Sequence, residues 1–322
     1  MPNKKNFALI GASGYIAPRH MKAIKDTDHN LVVALDPYDG IGIMDGHFPQ
    51  ADFFTEFERF ASFVDQWHRD KKQAIEYISI ASPNYLHSSH IRFALLNNAH
   101  AICEKPLVLH PQEIDTLLHI EKQTGKKVYT ILQLRLHDSI IALKKKIQSE
   151  LTQDPDRLYD IDLTYLTSRG KWYFVSWKGD DAKSGGIASN IGVHFFDMLS
   201  WIFGSVEENR VHLKQADANA GFMKLKNANV RWFLSVNYDY IPDDVKAAGK
   251  TTYRSITVNG EEFEFSEGFT DLHTKSYKDI LEGGGFGLED ARNSINIVSQ
   301  IRDLAPQGLH GTYHPFCEKV LN

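Results

Sequence analysis

From Phe7 to about Arg135, short apolar runs alternate with longer amphipathic stretches. FALIG, LVVALD, EYISIASP, HAICEK and VYTILQLR read as strands, with helical patterns from about Ile16, from Glu56 to Arg69, from His90 to Asn97 and from Pro111 between them. Alternation of this kind implies parallel strands joined by helical crossovers, so the first part predicts a doubly wound α/β sheet. Beyond a basic helix from Ser139 to about Ser149 and the turn-rich TQDPDR, strand follows strand: LYDIDLTYLT, RVHLKQAD, AGFMKLKN, VRWFLSVNYDY, YRSITVNG and EEFEFSEG. Asn259-Gly260, between two alternating runs, is the strongest hairpin signal in the chain. One helix, IGVHFFDMLSWIFG, interrupts these strands and another, EDARNSINIVSQIRDL, follows them. The expected division is a parallel-sheet domain over residues 1–135, then an α+β domain over 136–322 with a large open, mainly antiparallel sheet.

Helices can cover one face of that second sheet. VRWFLSVNYDY carries Trp232, Leu234 and Val236 on one side and Phe233 and Tyr238 elsewhere, too much apolar surface for a solvated face, so a homo-oligomer (dimer or tetramer) is expected. The length of 322 residues is sufficient for two cores. A hydrophobic fraction of 42% with 24% charged residues argues against long disorder, and a net charge of −5 leaves no clustered basic face for nucleic acid. Lys144, Lys145 and Lys146, the densest basic run, read as a solvated helix face. Cys103 and Cys317 supply neither a disulfide framework nor zinc-ligand spacing. The apolar run in MPNKKNFALIG is too short for a signal peptide, and no stretch approaches the roughly 18 apolar residues of a spanning helix. A cytoplasmic protein without membrane contact is expected.

The chemistry gathers where the predicted parallel strands end. FALIGASGYIAPRH puts a glycine turn between a strand and a helix, where free backbone N–H groups can cradle a pyrophosphate. Gly11, Gly14 and Ala17 make the spacing GxxGxxA, one residue longer in the turn than the usual fingerprint. LVVALD ends in Asp36, 22 residues beyond Gly14, near the distance expected for the acid that binds a ribose 2′-hydroxyl; a carboxylate there repels a 2′-phosphate and favours NAD over NADP. Ser82, Pro83 and Asn84 close the third strand, and Glu104 and Lys105 the fourth, all at the edge where open α/β sheets bind ligands. His87 and His90 are three apart on a helical pattern but lack a third ligand, so no metal is expected.

Glycine turn, Asp36, SPNYLH, CEKPL and SGGIASNIGVHFFD together resemble, over nearly the whole chain, the Gfo/Idh/MocA family of NAD(P)-dependent sugar oxidoreductases. The resemblance implies a Rossmann domain in which Gly11, Ser13, Gly14, Tyr15, Ile16, Asp36, Ser82, Pro83, Asn84, His87, Glu104, Lys105, Gln133 and Trp172 bind NAD. It also implies Lys105 and His194 as the catalytic pair. The family's usual aspartate four residues before that histidine is Asn190 here, an amide that can hold a sugar but not polarise the imidazole as a carboxylate would. YIAPRHMKAIKDT, YTILQLRLH, TSRGKWYFVSWKGD and DLHTKSY are similar to the branch that oxidises C3 of UDP-N-acetylglucosaminuronic acid, toward diacetamido uronic acids of bacterial surface polysaccharides. A uronic acid linked to UDP carries a carboxylate and two phosphates, and Arg135, Arg169 and Lys178, with Lys105, Asn190 and His194, are the expected substrate-binding residues. Some relatives recycle the cofactor with 2-oxoglutarate, a candidate partner here. A sugar or inositol dehydrogenase of the same family, and a dinucleotide-sensing protein without turnover, are the alternatives; retention of both lysine and histidine disfavours the second.

Overall fold

The computed structural model describes residues 4–40, 42–70, 73–263 and 271–321. The chain folds as two compact units: Met1–Leu136 with Thr270–Arg292, and His137–Phe269 with Asn293–Asn322. The continuous division expected at 135/136 therefore needs a correction, because a segment from late in the chain belongs to the first unit. Its helix, Leu272–Leu281, buries Leu272, Ser276, Tyr277 and Ile280 at helical spacing. Tyr277 is wholly buried beside Phe7, Leu9, Met21 and Ile102. Removing such a side chain from a core costs about 3–5 kcal/mol, enough to hold the segment where it lies.

The first unit's strands are β1 (Asn6–Ile10), β2 (Asn30–Leu35), β3 (Asp52–Phe54), β4 (Tyr77–Ile80), β5 (His100–Cys103) and β6 (Val128–Thr130). They form one sheet in the order β3-β2-β1-β4-β5-β6, and every pair is parallel. The order reverses between β1 and β4, and that switch point opens a crevice at the carboxyl ends of the strands. Five of the six strands are legible in the sequence. β3 is three residues long, too short to show a period.

The second unit's sheet runs β12-β11-β7-β10-β9-β8. Its strands are β7 (Tyr159–Thr167), β8 (Val206–Lys214), β9 (Ala218–Leu225), β10 (Ala228–Ser235), β11 (Thr252–Val258) and β12 (Glu261–Glu262). β7 and β10 are parallel and the other pairs antiparallel. The hairpin at Asn259-Gly260 forms with φ of 53° and 82°, the left-handed pair that this dipeptide supplies cheaply. The rest of EEFEFSEG, from residue 264, lies outside the described residues.

One face of this sheet carries the Val193–Phe203 helix, whose Phe196 meets Trp232 edge to face at 5.4 Å. The opposite face is covered by the chain itself: Phe233 packs against His314, Phe316 and Tyr240, in a cluster with Leu166, Ile241 and Cys317. Trp232, Phe233, Leu234 and Val236 are all buried within one chain. Trp232 is covered by the helix on one face, and Phe233 by Tyr240 and the C-terminal segment on the other. Lys144 also departs from expectation: its ammonium sits 3.6 Å from the Trp201 ring centre and donates to the Trp201 carbonyl at 2.9 Å. Among the described residues no helix is long and apolar enough to cross a membrane.

Candidate active site

The glycine turn sits on the switch point. Gly11 leaves β1 with φ +92°, and a Cβ placed on it would lie 2.6 Å from the backbone carbon of Ala81, at the end of β4. Only glycine lets the two strand ends approach so closely at that φ. Ser13 N donates to Asp36 Oδ2 at 2.9 Å and Tyr38 N to Asp36 Oδ1 at 3.0 Å, so Asp36 ties the turn to the end of β2. Each carboxylate oxygen keeps lone-pair capacity for a ribose hydroxyl. Gly14 and Ser13 are partly exposed beside it, and Tyr15 is fully open. Gln133, which follows β6, has a buried Oε1 with no hydrogen-bond partner among the described residues, a ready acceptor for an amide N–H. A close-backbone turn, a ribose acid and an orphaned acceptor fit a dinucleotide.

Three of the expected ligand residues are already occupied by protein. His87 is wholly buried, with Nδ1 2.7 Å from the Pro106 carbonyl and Nε2 2.8 Å from the Ser82 carbonyl, so it joins the loops after β4 and β5. Burial lowers its pKa against the pull of those two carbonyls and of Glu104. Glu104 accepts from His20 Nε2 at 3.2 Å and His273 Nε2 at 2.8 Å on Oε1, and from Lys105 N at 3.2 Å on Oε2. Glu104 does not need the cofactor to satisfy it. Arg135, expected to meet substrate, is only 6% exposed: it donates to Asp290 Oδ1 at 3.1 Å and to the Asp290 carbonyl at 2.7 Å, and lies over the Phe286 ring. It anchors the returning segment of its own unit.

His20, Glu104 and His273 form the one cluster of metal-ligand type among the described residues, and no local pattern foreshadows it because its members are scattered along the chain. Their facing atoms already pair as donors and acceptor, which makes the cluster a hydrogen-bond hub. Among the remaining edge residues, Ser82 Oγ contacts His90 Nδ1 at 2.8 Å, Pro83 precedes a short turn of 3-10 helix at Asn84–Leu86, Asn84 is buried, and Lys105 is partly exposed.

In the second unit, Ala188–Gly192 is a π-helical turn leading into the Val193–Phe203 helix, where the sequence pattern predicts regular helix from Ile191. Such bulges widen a turn and re-aim side chains, often at functional sites. Asn190, inside it, donates Nδ2 to the Tyr173 hydroxyl at 2.9 Å, and His194 follows in the first turn of the regular helix. TSRGKWYFVSWKGD folds into a helical turn, Trp172–Val175, and a 3-10 turn, Trp177–Gly179. Together they gather the expected cation and aromatic groups: the Lys178 ammonium lies 4.1 Å from the Trp177 ring centre and 5.9 Å from that of Trp172. Burial, then the Arg169 guanidinium, lowers the Lys178 pKa. Desolvation beside a second cation is a poor state for an ammonium group unless an anion joins it.

Residues 5–132 match the NAD-binding Rossmann fold of the Gfo/Idh/MocA oxidoreductases and residues 157–261 match that family's C-terminal alpha/beta domain. The chain belongs to the Gfo/Idh/MocA oxidoreductase family. It is similar to the WlbA (WbpB) dehydrogenase of Thermus thermophilus in complex with NAD and UDP-GlcNAcA, at 49% identity and a TM-score of 0.92, covering 97% of this chain and 99% of that one. The same Thermus protein in complex with NAD and alpha-ketoglutarate superimposes with a TM-score of 0.91 at 50% identity, again over 97% and 99% of the two chains. Glucose-6-phosphate 3-dehydrogenase of Bacillus subtilis is 24% identical over 62% of this chain and 54% of its own length. This chain spans about half or less of the curated relatives it matches, 38%, 54% and 36% for three of them.

Proposed function

We propose that this protein oxidises the C3 hydroxyl of UDP-N-acetylglucosaminuronic acid to the 3-keto sugar with NAD. The observation that carries this reading is the near end-to-end similarity, at 49% identity, to a dehydrogenase held in complex with NAD and UDP-GlcNAcA. When bound, NAD supplies the acceptor for the hydride that leaves C3. His194 takes the hydroxyl proton, while Lys105 hydrogen-bonds the same oxygen and stabilises charge developing on it. Asn190, its amide oriented by Tyr173, holds the sugar. Arg169 and Lys178 bind the anionic groups, and Trp177 or Trp172 offers a face for a flat ring.

The proposed partner for cofactor recycling is 2-oxoglutarate, which takes the hydride together with a proton and becomes 2-hydroxyglutarate; a homo-oligomer, a cytoplasmic location and a role in surface-polysaccharide synthesis complete the proposal. Incubation with UDP-N-acetylglucosaminuronic acid and 2-oxoglutarate should give equimolar 3-keto sugar and 2-hydroxyglutarate by mass spectrometry. Faster turnover of inositol or of the free uronic acid would overturn the assignment.

Arg169→Ala and Lys178→Ala should each raise KM for the nucleotide sugar by about tenfold or more, the worth of a charge-assisted hydrogen bond, while sparing an uncharged analogue. The pH dependence has a definite sign. Because the Lys178 pKa is lowered, its cation is lost at a less alkaline pH than an ordinary lysine's, so KM should climb early on the alkaline side. Lys178→Arg stays charged and should abolish that climb; an unchanged alkaline limb would count against the role.

A further inference from the structure

A chain of buried hydrogen bonds runs through the first unit and ends on the residue before Lys105. Ser79 Oγ lies 2.6 Å from the Tyr277 hydroxyl, which lies 2.7 Å from His20 Nδ1; His20 Nε2 meets Glu104 Oε1, and His273 Nε2 meets the same oxygen. All five residues are buried: Ser79 on β4, His20 on the Ala17–Asp26 helix, Glu104 after β5, and His273 and Tyr277 one turn apart on the returning helix.

One proton arrangement satisfies every contact. Burial lowers the His20 pKa against the pull of Glu104, so the ring is neutral and has a single N–H. With that proton on Nε2, His20 donates to Glu104, its Nδ1 accepts from Tyr277 O–H, and Tyr277 accepts from Ser79. Burial pushes the Tyr277 hydroxyl up, which keeps it a donor. His273 gives Glu104 a second N–H. Burial opposes charge on Glu104, but the hydrogen bonds from His20 and His273 outweigh it and hold the carboxylate well below its usual range. Among the described residues Glu104 also acts on Cys103, whose thiol burial and Glu104 push up, and on His87. The carboxylate's other oxygen, Oε2, accepts the Lys105 backbone N–H.

We infer that His20, His273 and Tyr277 are positioning residues, which lock Glu104 as an acceptor so that its second oxygen fixes the main chain carrying Lys105. The helix that supplies two of them comes from late in the chain, with His273 169 positions from Glu104. A neutral Glu104 would carry its proton on one oxygen and compete with these donors, releasing the lysine's main chain. The inference rests on the reading of Lys105 as catalytic, yet part of its test needs no turnover.

Glu104 can be read directly by infrared spectroscopy. The double variant His20→Leu/His273→Leu, deprived of both N–H donors, should show the carbonyl stretch of a protonated carboxylic acid at neutral pH, absent in the wild type and in the same variant carrying Glu104→Gln. A spectrum without that band overturns the inference, whatever the activity. In kinetics, His273→Leu should lower kcat by about tenfold, with KM for NAD within about twofold, and His273→Gln, which keeps a donor at a similar reach, should restore most of it. Equal losses in the Leu and Gln variants would reduce the role to packing and overturn it. Tyr277→Phe keeps the ring in the core and tests the far end of the chain, with a smaller fall in kcat expected. Wild-type enzyme inactive on the nucleotide sugar would refute the proposed function while leaving the infrared result to decide the positioning role.

Discussion

Lys105→Met should lower kcat for oxidation of the nucleotide sugar by on the order of 10³-fold, the upper range expected for a group that stabilises a developing alkoxide. Methionine preserves the length of the apolar stem and removes the charge and the hydrogen-bond donors. KM for NAD should change much less than kcat, since the glycine turn, Asp36 and the Gln133 acceptor are untouched. His194→Asn should cost on the order of 10²-fold and erase the acidic limb of the pH–rate profile, because that limb reports the essential base. The two variants separate the roles. If His194→Asn retains most of the rate and its acidic limb, the histidine is not the base, and Lys105 or a solvent relay must be.

Gly11→Ala should abolish measurable NAD binding and cost about 2–5 kcal/mol of stability. The methyl group would sit 2.6 Å from the Ala81 backbone carbon, and the residue would be forced to hold φ near +92°. Left-handed backbone costs an L-residue about 1–2 kcal/mol, and overpacking against another main chain about 1–3 kcal/mol more. Backbone cannot swing aside as a side chain would, so β1 and β4 must separate at the switch point and the crevice changes shape. Denaturant unfolding and calorimetric titration with NAD measure the two effects independently. Gly40→Ala, where a Cβ meets nothing within 4 Å, is the control and should leave both unchanged. An affinity close to that of the wild type in Gly11→Ala would show that the turn does not form the cofactor cradle.

The contrast between Asp36 and Arg135 explains how far the candidate site could be read in advance. Asp36 ends a strand and acts locally, since both its side-chain hydrogen bonds go to nearby residues just after β1 and β2, and the spacing from the glycine turn exposes that relation. Arg135 also follows a strand, yet its partner is Asp290, on a segment 155 residues later. No pattern near Arg135 distinguishes a guanidinium that meets a ligand from one that meets a carboxylate of its own fold. The same reason hid the hub around Glu104, although CEKPL itself is conspicuous. The lysine cluster shows the reverse limit: a basic run looks uniform in sequence, and Lys144 is singled out because Trp201 happens to face it.

By itself the amino-acid sequence determined the alternation of strands and helices, the hairpin at Asn259-Gly260, the glycine turn with its acidic partner, and the family to which CEKPL and the histidine helix point. These features are short-range: hydrophobic period, turn chemistry and fixed spacing act between residues close along the chain. Tertiary structure alone decided that a late helix completes the first unit, that the C-terminal segment covers the second sheet, and that His20 and His273 converge on Glu104. Such pairings depend on which buried donors and apolar faces are left unsatisfied after the local elements form, a condition set by the whole fold.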